Sequence, residues 1–359
     1  MIMENTEKTE SMENTGNTEN TENTGNTENT ENTGSTDNTG LSAAETEKLK
    51  YTGRIGQTFI YLIKLFRIFI FRNDWKVLPM AAIIAGLVSM VVGKGLFITM
   101  EGTLQGAFAL SCVCIWNGFF NSIQVICRER PVIKREHRAG LHMTSYVFSH
   151  LIFQLFLCAA QTAITIIVIR YSGVQFPEEG IMFKGAQGFI MELAITLFAI
   201  TYSADILALM ISAIVHTTTT AMTAMPFMLI VQLVFAGYFS IPEALSEVTN
   251  LMIAKWGTQN LCALARYNDL PAVLIWNRMV AAGNVDLGGV MKLSDAMKLI
   301  EEQGMREKVL YELGKASQNP LYVSTGENLV SCWLHMAAFA AVFAFVTVVF
   351  MEFIDRDKR

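Results

Sequence analysis

Residues 128–140 read Arg-Glu-Arg-Pro-Val-Ile-Lys-Arg-Glu-His-Arg-Ala-Gly, and a long apolar segment lies on each side of them. Five of these residues are Lys or Arg, a charge density that the hydrocarbon of a membrane excludes. Short loops rich in Lys and Arg remain on the cytoplasmic side of membranes. The sequence therefore predicts that the chain crosses a membrane before and after this basic block, and that the block faces the cytoplasm.

The composition of the whole chain agrees with an integral membrane protein. Of its 359 residues, 52% are hydrophobic and 16% are charged, an unusual balance for a soluble domain. The net charge of −5 comes from one end, because residues 1–46 contain ten acidic side chains and one Lys. This segment repeats Asn-Thr-Glu and Asn-Thr-Gly with almost no apolar side chains, so we expect a disordered acidic low-complexity tail.

An amphipathic helix is predicted ahead of the first membrane span. Apolar residues recur there at helical spacing, namely Phe59, Leu62, Ile63, Phe66 and Ile70. Lys64 and Arg67 fall on another face, which is typical of a helix that lies in the membrane interface. We therefore divide the chain into the tail at 1–46, an interfacial connecting helix at 47–76 and a membrane domain at 77–355.

Six spans are predicted in the membrane domain, each near the roughly 20 residues that a bilayer requires. They are placed at 77–97, 106–126, 146–169, 189–215, 221–239 and 329–353. The predicted fold class is an all-α polytopic membrane protein, in which six transmembrane helices follow the interfacial helix. A helical external loop at 240–328 precedes the last span, and both termini lie in the cytoplasm.

Three residues of this membrane domain carry specific expectations. Asp205 falls near the middle of the fourth span, where a charged Asp costs about 2.5–3.5 kcal/mol on insertion scales. It serves either as a gate, substrate contact or proton relay, or as a hydrogen bond between helices of the bundle core. Glu192, near the outer end of the same span, is expected to be in contact with water. Cys262 is expected to be external.

Common signatures of nucleotide binding and catalysis are absent from the sequence. It has no Gly-x-x-x-x-Gly-Lys-[Ser/Thr] loop, no His-Glu-x-x-His and no Gly-x-Ser-x-Gly. Cys112-x-Cys114 lacks the second Cys pair or the His that a metal site requires. We therefore expect this chain not to be an enzyme, to bind no metal or cofactor of its own, and to have no nucleic-acid partner.

Taken in order, these features resemble the transmembrane domain of G-subfamily ABC exporters, in the type-2 permease superfamily. The basic block matches best, since family members carry a Glu-Arg stretch, an Arg-Glu pair, and a small residue with Gly before the third span. Here the corresponding residues are Glu129-Arg130, Arg135-Glu136 and Ala139-Gly140. Further matches are Phe235-Ala236-Gly237 and Asn268-Asp269-Leu270, and the resemblance covers about residues 58–353.

The resemblance implies two sets of functional residues. In that family the basic loop holds a short coupling helix that contacts the ATPase, a role that would fall to Glu129, Arg130, Arg135, Glu136 and Arg138. Two permease chains, as a homodimer or a heterodimer, enclose a cavity lined by the second and fifth spans, which points to Trp116, Asn117, Phe120, Leu229 and Leu233. Tyr238 and Phe239 occupy the place of the plug between the cavity and its exit.

The leading hypothesis is a permease subunit of an ATP-driven exporter in the plasma (cytoplasmic) membrane, in contact with membrane lipid. It would move an amphipathic or lipid-like substrate, and a separate ABC ATPase subunit would bind the ATP. Two alternatives stay open. One is a membrane-embedded enzyme acting on lipid, with Asp205 and either His216 or His335 as an acid–base pair. The other is a non-transporting membrane scaffold or sensor.

Overall fold

A computed structural model describes residues 53–353, apart from 73, 178, 186, 240–241, 243–244, 288–290 and 316–317. The predicted acidic tail at 1–46 and the C-terminal residues 354–359 lie outside the described residues. The expectations for these two ends, including their cytoplasmic location, therefore stay predictions. So do the boundaries of the three predicted segments.

Over the described ranges the chain forms thirteen α-helices and one short β-hairpin. The helices are α1 (Arg54–Phe71), α2 (Val77–Val92), α3 (Met100–Ser122), α4 (Val125–Arg138), α5 (Met143–Tyr171), α6 (Gly188–Ile214), α7 (Thr218–Val234), α8 (Ser246–Thr249), α9 (Ile253–Leu264), α10 (Leu270–Ala281), α11 (Leu293–Glu302), α12 (Arg306–Gly314) and α13 (Gly326–Glu352). The antiparallel hairpin pairs β1 (Asp286–Leu287) with β2 (Met291–Lys292).

The predicted all-α polytopic architecture is confirmed. Five helical segments are long and apolar enough to cross a membrane: α2 with the turn before it, α3 together with α4, α5, α6 and α13. The predicted fifth span corresponds to α7, which is apolar but has only 17 residues. Two predicted span ends are wrong, because α2 stops at Val92 rather than 97 and α7 stops at Val234 rather than 239. Glycines follow both helices, and Gly237 has a φ of 85°, which does not continue a helix.

Thr side chains define where three of the membrane helices begin. Thr99, Thr217 and Thr325 precede α3, α7 and α13, and each accepts a hydrogen bond from the backbone N–H three residues later. The N–O distances are 3.1, 3.2 and 3.4 Å. Each cap satisfies one of the N–H groups that a helix start leaves without an intrahelical acceptor, and it typically contributes about 1 kcal/mol.

The core of the bundle is the contact between α3 and α6, the most extensive contact between any two described elements. Small residues allow this close approach. A Cβ atom added at Gly118 in α3 would lie 2.5 Å from the Thr201 carbonyl oxygen and 2.7 Å from the Asp205 backbone nitrogen in α6. The two helices are mostly buried, whereas α2 and α13 lie at the periphery.

The first helix, α1, packs along α5 and confirms the helix predicted ahead of the first span. The Phe66 and Phe69 rings of α1 pack against the Phe153 ring of α5, with centroid distances of 5.2 and 5.6 Å. Other apolar side chains of α1, such as Ile63 and Ile70, remain exposed in the chain alone. This two-sided apolar character suits a helix that touches both the bundle and a membrane surface.

The predicted external segment is helical, as expected, but part of it belongs to the core. Helix α9 packs against α3, α6 and α13, and Gln232 of α7 accepts a hydrogen bond from the Ala254 N–H at the start of α9. Cys262, which was expected to be external, is fully buried in α9 within the main hydrophobic cluster, and the side of the membrane on which it lies stays a prediction. The apolar side of α9 is covered by three helices that the sequence does not place beside it.

Glu192 also differs from its prediction. It is fully buried rather than in contact with water. Its two carboxylate oxygens accept hydrogen bonds from the backbone N–H groups of Ile181, Met182 and Phe183, at 2.9, 2.5 and 2.8 Å. The segment between α5 and α6 therefore folds back onto the start of α6, where a carboxylate supplies the acceptors that this backbone needs.

Candidate functional site

The basic block forms α4, which is joined to the end of α6 by reciprocal caps. Ser212 of α6 accepts hydrogen bonds from the N–H groups of Ile126 and Cys127, at 3.1 and 3.2 Å, in the first turn of α4. In return, the Arg130 guanidinium of α4 donates to the Ala213 carbonyl in the last turn of α6. A cation at the C-terminal end of a helix is electrostatically favourable. These hydrogen bonds join the start of α4 to the end of α6.

Helix α4 is also attached to α1 through a carboxylate. The Glu136 side chain accepts hydrogen bonds from the Tyr61 hydroxyl and from the Lys64 ammonium, the latter at 3.1 Å. Burial and the hydrogen bond to Glu136 raise the pKa of the Tyr61 phenol, which therefore remains a donor. The Tyr61 and Lys64 contacts come from outside the block, and sequence reasoning missed them.

The turn between α4 and α5 fixes the other end of α4. Gly140 adopts a φ of 104°, a conformation that favours glycine and lets α4 end just before α5 begins. Gln57 of α1 donates to the Gly140 carbonyl at 3.2 Å and accepts from the His142 N–H at 3.0 Å. Glu129 accepts a long hydrogen bond of 3.5 Å from the Tyr146 hydroxyl of α5. Three neighbouring elements, α1, α5 and α6, therefore hold α4.

The five residues predicted to form the coupling loop all lie on α4, but they divide between two faces. Glu129, Arg130 and Glu136 point toward α5, α6 and α1 respectively. Arg135 and Arg138 are exposed. The exposed residues Arg128, Pro131, Val132, Arg135, Arg138 and Ala139 recur every three to four positions. One face of α4 thus contacts the bundle, and the opposite face is exposed.

One stripe of α3 is only partly covered by the rest of the chain. It consists of Phe108, Cys112, Trp116 and Phe120, which follow at every fourth position. Trp116 and Phe120 are exposed, whereas Phe108 and Cys112 are partly buried. The Trp116 and Phe120 rings lie 5.2 Å apart. Trp116 and Phe120 were predicted to line a cavity, whereas Phe108 was not, although the same helical spacing leads to it two turns earlier.

The other residues predicted for the cavity and its plug occupy three environments. Asn117 and Leu229 are buried inside the chain, and Leu233 is half-buried. Tyr238 and Phe239 follow the end of α7 and both contact Phe108, with ring centroids 4.9 and 6.1 Å away. Phe108, Tyr238 and Phe239 therefore form an aromatic cluster where the α3 stripe meets the residues after α7.

Asp205 is completely buried between three helices. Its Oδ1 accepts a hydrogen bond from the Ser122 hydroxyl of α3 at 2.8 Å, and Ser122 in turn accepts one from Gln154 of α5 at 2.8 Å. Two turns after Gln154 in α5, Gln161 exchanges two hydrogen bonds of 2.9 and 3.0 Å with Asn121, which is next to Ser122 in α3. These contacts agree with the interhelical hydrogen-bond interpretation of Asp205.

Replacing Asp205 by Asn is expected to change the free energy of unfolding by less than about 1 kcal/mol. Asn keeps an oxygen for Ser122, but its amide N–H groups take the place of Oδ2, which has no partner among the described residues. The measurement is the midpoint of thermal aggregation in detergent, followed by fluorescence-detected gel filtration. Asp205→Leu is the matched variant, since it leaves the Ser122 hydroxyl without its acceptor and should destabilise by about 1–3 kcal/mol. A lower midpoint for Asp205→Asn than for Asp205→Leu would contradict this account.

The acid–base pair considered for a membrane-embedded enzyme gains no support from the geometry. His335 is exposed and stacks on Trp256, with ring centroids 3.8 Å apart. His216 is exposed beyond the end of α6, whereas Asp205 lies deep inside that helix. In the part of the chain that the structure describes, no three His, Cys, Asp or Glu side chains cluster closely enough to hold a metal ion.

The comparison with known protein families identifies this architecture. Residues 57–264, more than half of the chain, match the family described as ABC-2 type transporter. The matched region runs from α1 through α9 and includes α4 and the α3 stripe. No curated protein matches the chain at a significant level. Members of the matched family are transmembrane permease components of ABC transporters, which work with an ABC ATPase. The chain belongs to the ABC-2 type transporter family.

Proposed function

We propose that this chain is the permease subunit of an exporter whose ABC ATPase is a separate subunit. The ATPase would bind and hydrolyse ATP, and its closure would press on the exposed face of α4. The bundle would then switch between two packings, one open to each side of the membrane. In this proposal α4 and both termini face the cytoplasm, and the membrane is the plasma (cytoplasmic) membrane.

The attachment of α4 supports this proposal most strongly. Its inner face is bonded to α1, α5 and α6 through Glu136, Glu129 and Arg130. Its outer face presents Val132 and Arg135 to the surroundings. A short helix held on three sides and open on the fourth can transmit a push from a soluble partner to several spans at once. Plain retention of a basic loop in the cytoplasm requires none of these bonds.

The exposed residues of the α3 stripe support the proposal that a second permease chain packs against this one. Helix α7, which contacts α3, also exposes the apolar side chains of Phe227 and Ile230. Trp116 and Phe120 would then line a cavity between two copies, with Tyr238 and Phe239 at its outer end. Because these residues carry no charge and are largely aromatic, an amphipathic or lipid-like substrate would suit the cavity.

Purification of the tagged chain from its native membranes in a mild detergent tests the proposal. Mass spectrometry of the bound proteins should find an ATPase with a nucleotide-binding loop in stoichiometric amount. Recovery of a homo-oligomer without any ATPase, even after crosslinking in the intact membrane, would instead favour the scaffold or enzyme alternatives.

Glu136→Ala should uncouple the two subunits without separating them, because it removes the bonds to Tyr61 and Lys64 but leaves the outer face of α4 intact. The readout is maleimide labelling of Phe239→Cys, in a background where Cys112 is replaced by Ser. ATP with vanadate should change the labelling rate in the parent, and Glu136→Ala should reduce that change several-fold.

Glu312→Ala is the matched control for this experiment. Glu312 lies in α12 and makes an exposed ion pair with Lys315 at 3.9 Å, so its loss should leave the nucleotide response unchanged. An undiminished response in Glu136→Ala, with the ATPase still bound, would remove Glu136 from the coupling path.

A further inference from the structure

A cavity of about 270 Å³ opens between α1, the start of α2, the corner between α3 and α4, and α5. Its walls differ in chemistry. Leu65 and Phe69 of α1 face Phe153 and Leu157 of α5 across an apolar part. The rest of the lining contains further apolar residues, such as Val77 and Met222, together with polar ones, namely Asp74, Asn121, Gln124, Arg128, Glu129, His150 and Gln154. The cavity is therefore amphipathic. It adjoins the α3 stripe assigned above to the interface between two copies, because Phe120 of that stripe also lines it.

Two polar side chains in this cavity have atoms without a hydrogen-bond partner among the described residues. His150 is 2% exposed, and neither of its ring nitrogens has a partner in the described part of the chain. Gln154 is equally buried, and its Oε1 is likewise without a donor among the described residues. Leaving buried polar groups unpaired costs about 1–3 kcal/mol each. A neutral His offers one donor and one acceptor, so a molecule that both donates and accepts hydrogen bonds would satisfy this pair.

Charged side chains of both signs line the cavity. Arg128 is exposed and contributes a cation, while Glu129 and Asp74 contribute carboxylates, and all three line the cavity. Neither a purely anionic nor a purely cationic ligand would match this arrangement. A zwitterion would, provided that its negative group lies toward Arg128 and its positive group lies toward the two acids.

We propose that this cavity binds a zwitterionic phospholipid with a primary ammonium headgroup, drawn from the leaflet on the α4 side. One acyl chain would lie against Phe69, Phe153 and Leu157. The phosphate would face Arg128, and the ammonium, which carries N–H donors, would face Asp74 and Glu129. At about 270 Å³ the cavity encloses only part of the lipid, and the rest remains in the bilayer. The binding does not rest on the proposed transport activity.

Photocrosslinking tests this site. The whole chain, in lipid nanodiscs, is exposed to phosphatidylethanolamine that carries a diazirine in one acyl chain, and the labelled peptides are mapped. Label should concentrate on α1 near Phe69 and on α5 near Phe153. Unlabelled phosphatidylethanolamine should compete at least fivefold better than phosphatidylcholine, which lacks N–H donors, or phosphatidylglycerol, which is anionic. Free phosphoethanolamine should not compete, because it has no chain.

Adjacent residues of α5 provide a matched pair of variants. Leu157→Trp fills the cavity and should reduce labelling at least fivefold, whereas Phe156→Trp, at a position 54% exposed, should leave it unchanged. Asp74→Asn should remove the preference for phosphatidylethanolamine over phosphatidylcholine. If Leu157→Trp does not yield folded protein, the exposed change Arg128→Gln should weaken labelling severalfold. Uniform labelling of all lipid-facing helices, or equal competition by the three lipids, would overturn the proposal.

Discussion

Arg135→Glu should abolish recovery of the ATPase with this chain while leaving the chain itself folded. Arg135 lies on the exposed face of α4, opposite the bonds that hold the helix to the bundle. If the partner has an acidic group that contacts this face, the carboxylate introduced at position 135 would repel it. The apparent affinity should fall at least tenfold, which corresponds to about 1.4 kcal/mol. The measurement is the ratio of ATPase to permease after mild-detergent purification, at two salt concentrations.

Arg170→Glu is the control for this charge reversal. Arg170 is an exposed Arg in the last turn of α5, at the opposite end of that helix from α4. The ratio of ATPase to permease should be unchanged in this variant, and both variants should elute as single species in gel filtration. Equal losses from Arg135→Glu and Arg170→Glu would point to a general charge effect and would contradict a docking face on α4.

Gly118→Ala should destabilise the protein by about 1–3 kcal/mol, although it adds a single methyl group. The added Cβ would lie 2.5 and 2.7 Å from backbone atoms of α6, and backbone cannot move aside as a flexible side chain can. The two helices would have to separate along the most extensive contact in the bundle. A clear drop in the thermal aggregation midpoint and in the yield of monodisperse protein is the expected result.

Gly86→Ala provides the comparison at a second helical glycine. A Cβ at Gly86 in α2 would meet only Val168, at an ordinary contact distance of 3.7 Å. Alanine is a better helix former than glycine by about 1 kcal/mol, so this variant should be neutral or slightly more stable. If both variants had the same midpoint, close packing at Gly118 would not be what joins α3 to α6.

Much of this fold could be predicted because its helices and spans are determined by residues that are close together in the sequence. Long apolar runs separated by charged segments locate the spans, and the basic block locates α4. The segment 240–328, which was predicted to be helical, contains helices α8 to α12. Span ends were harder to predict: apolar residues continue past Val92 and Val234, and it is the backbone after them that leaves the helix.

The candidate site was less accessible to sequence reasoning, since its bonds join residues far apart in the chain. Ser212 reads as one more small residue on α6, and only the packed structure shows it capping α4. Glu192 reads as a carboxylate near a membrane edge, and its three N–H donors come from a loop whose path the sequence does not indicate. Which residues of α3 and α7 stay uncovered depends on how each helix is rotated in the bundle, as buried Asn117 and exposed Trp116 illustrate.

The length of α7 has a consequence for the lipid bilayer around this protein. Its 17 residues rise about 26 Å at 1.5 Å per residue, less than the hydrocarbon thickness of about 30 Å. Residues 235–239, which follow, are not helical, and lipid does not tolerate open backbone at that depth. Beside α7 the hydrocarbon layer must therefore be thinner, or protein or water must shield these residues. In the first case the protein would respond to bilayer thickness through hydrophobic mismatch. A thinned hydrocarbon layer would also shorten the path of any polar headgroup that crosses the membrane beside α7.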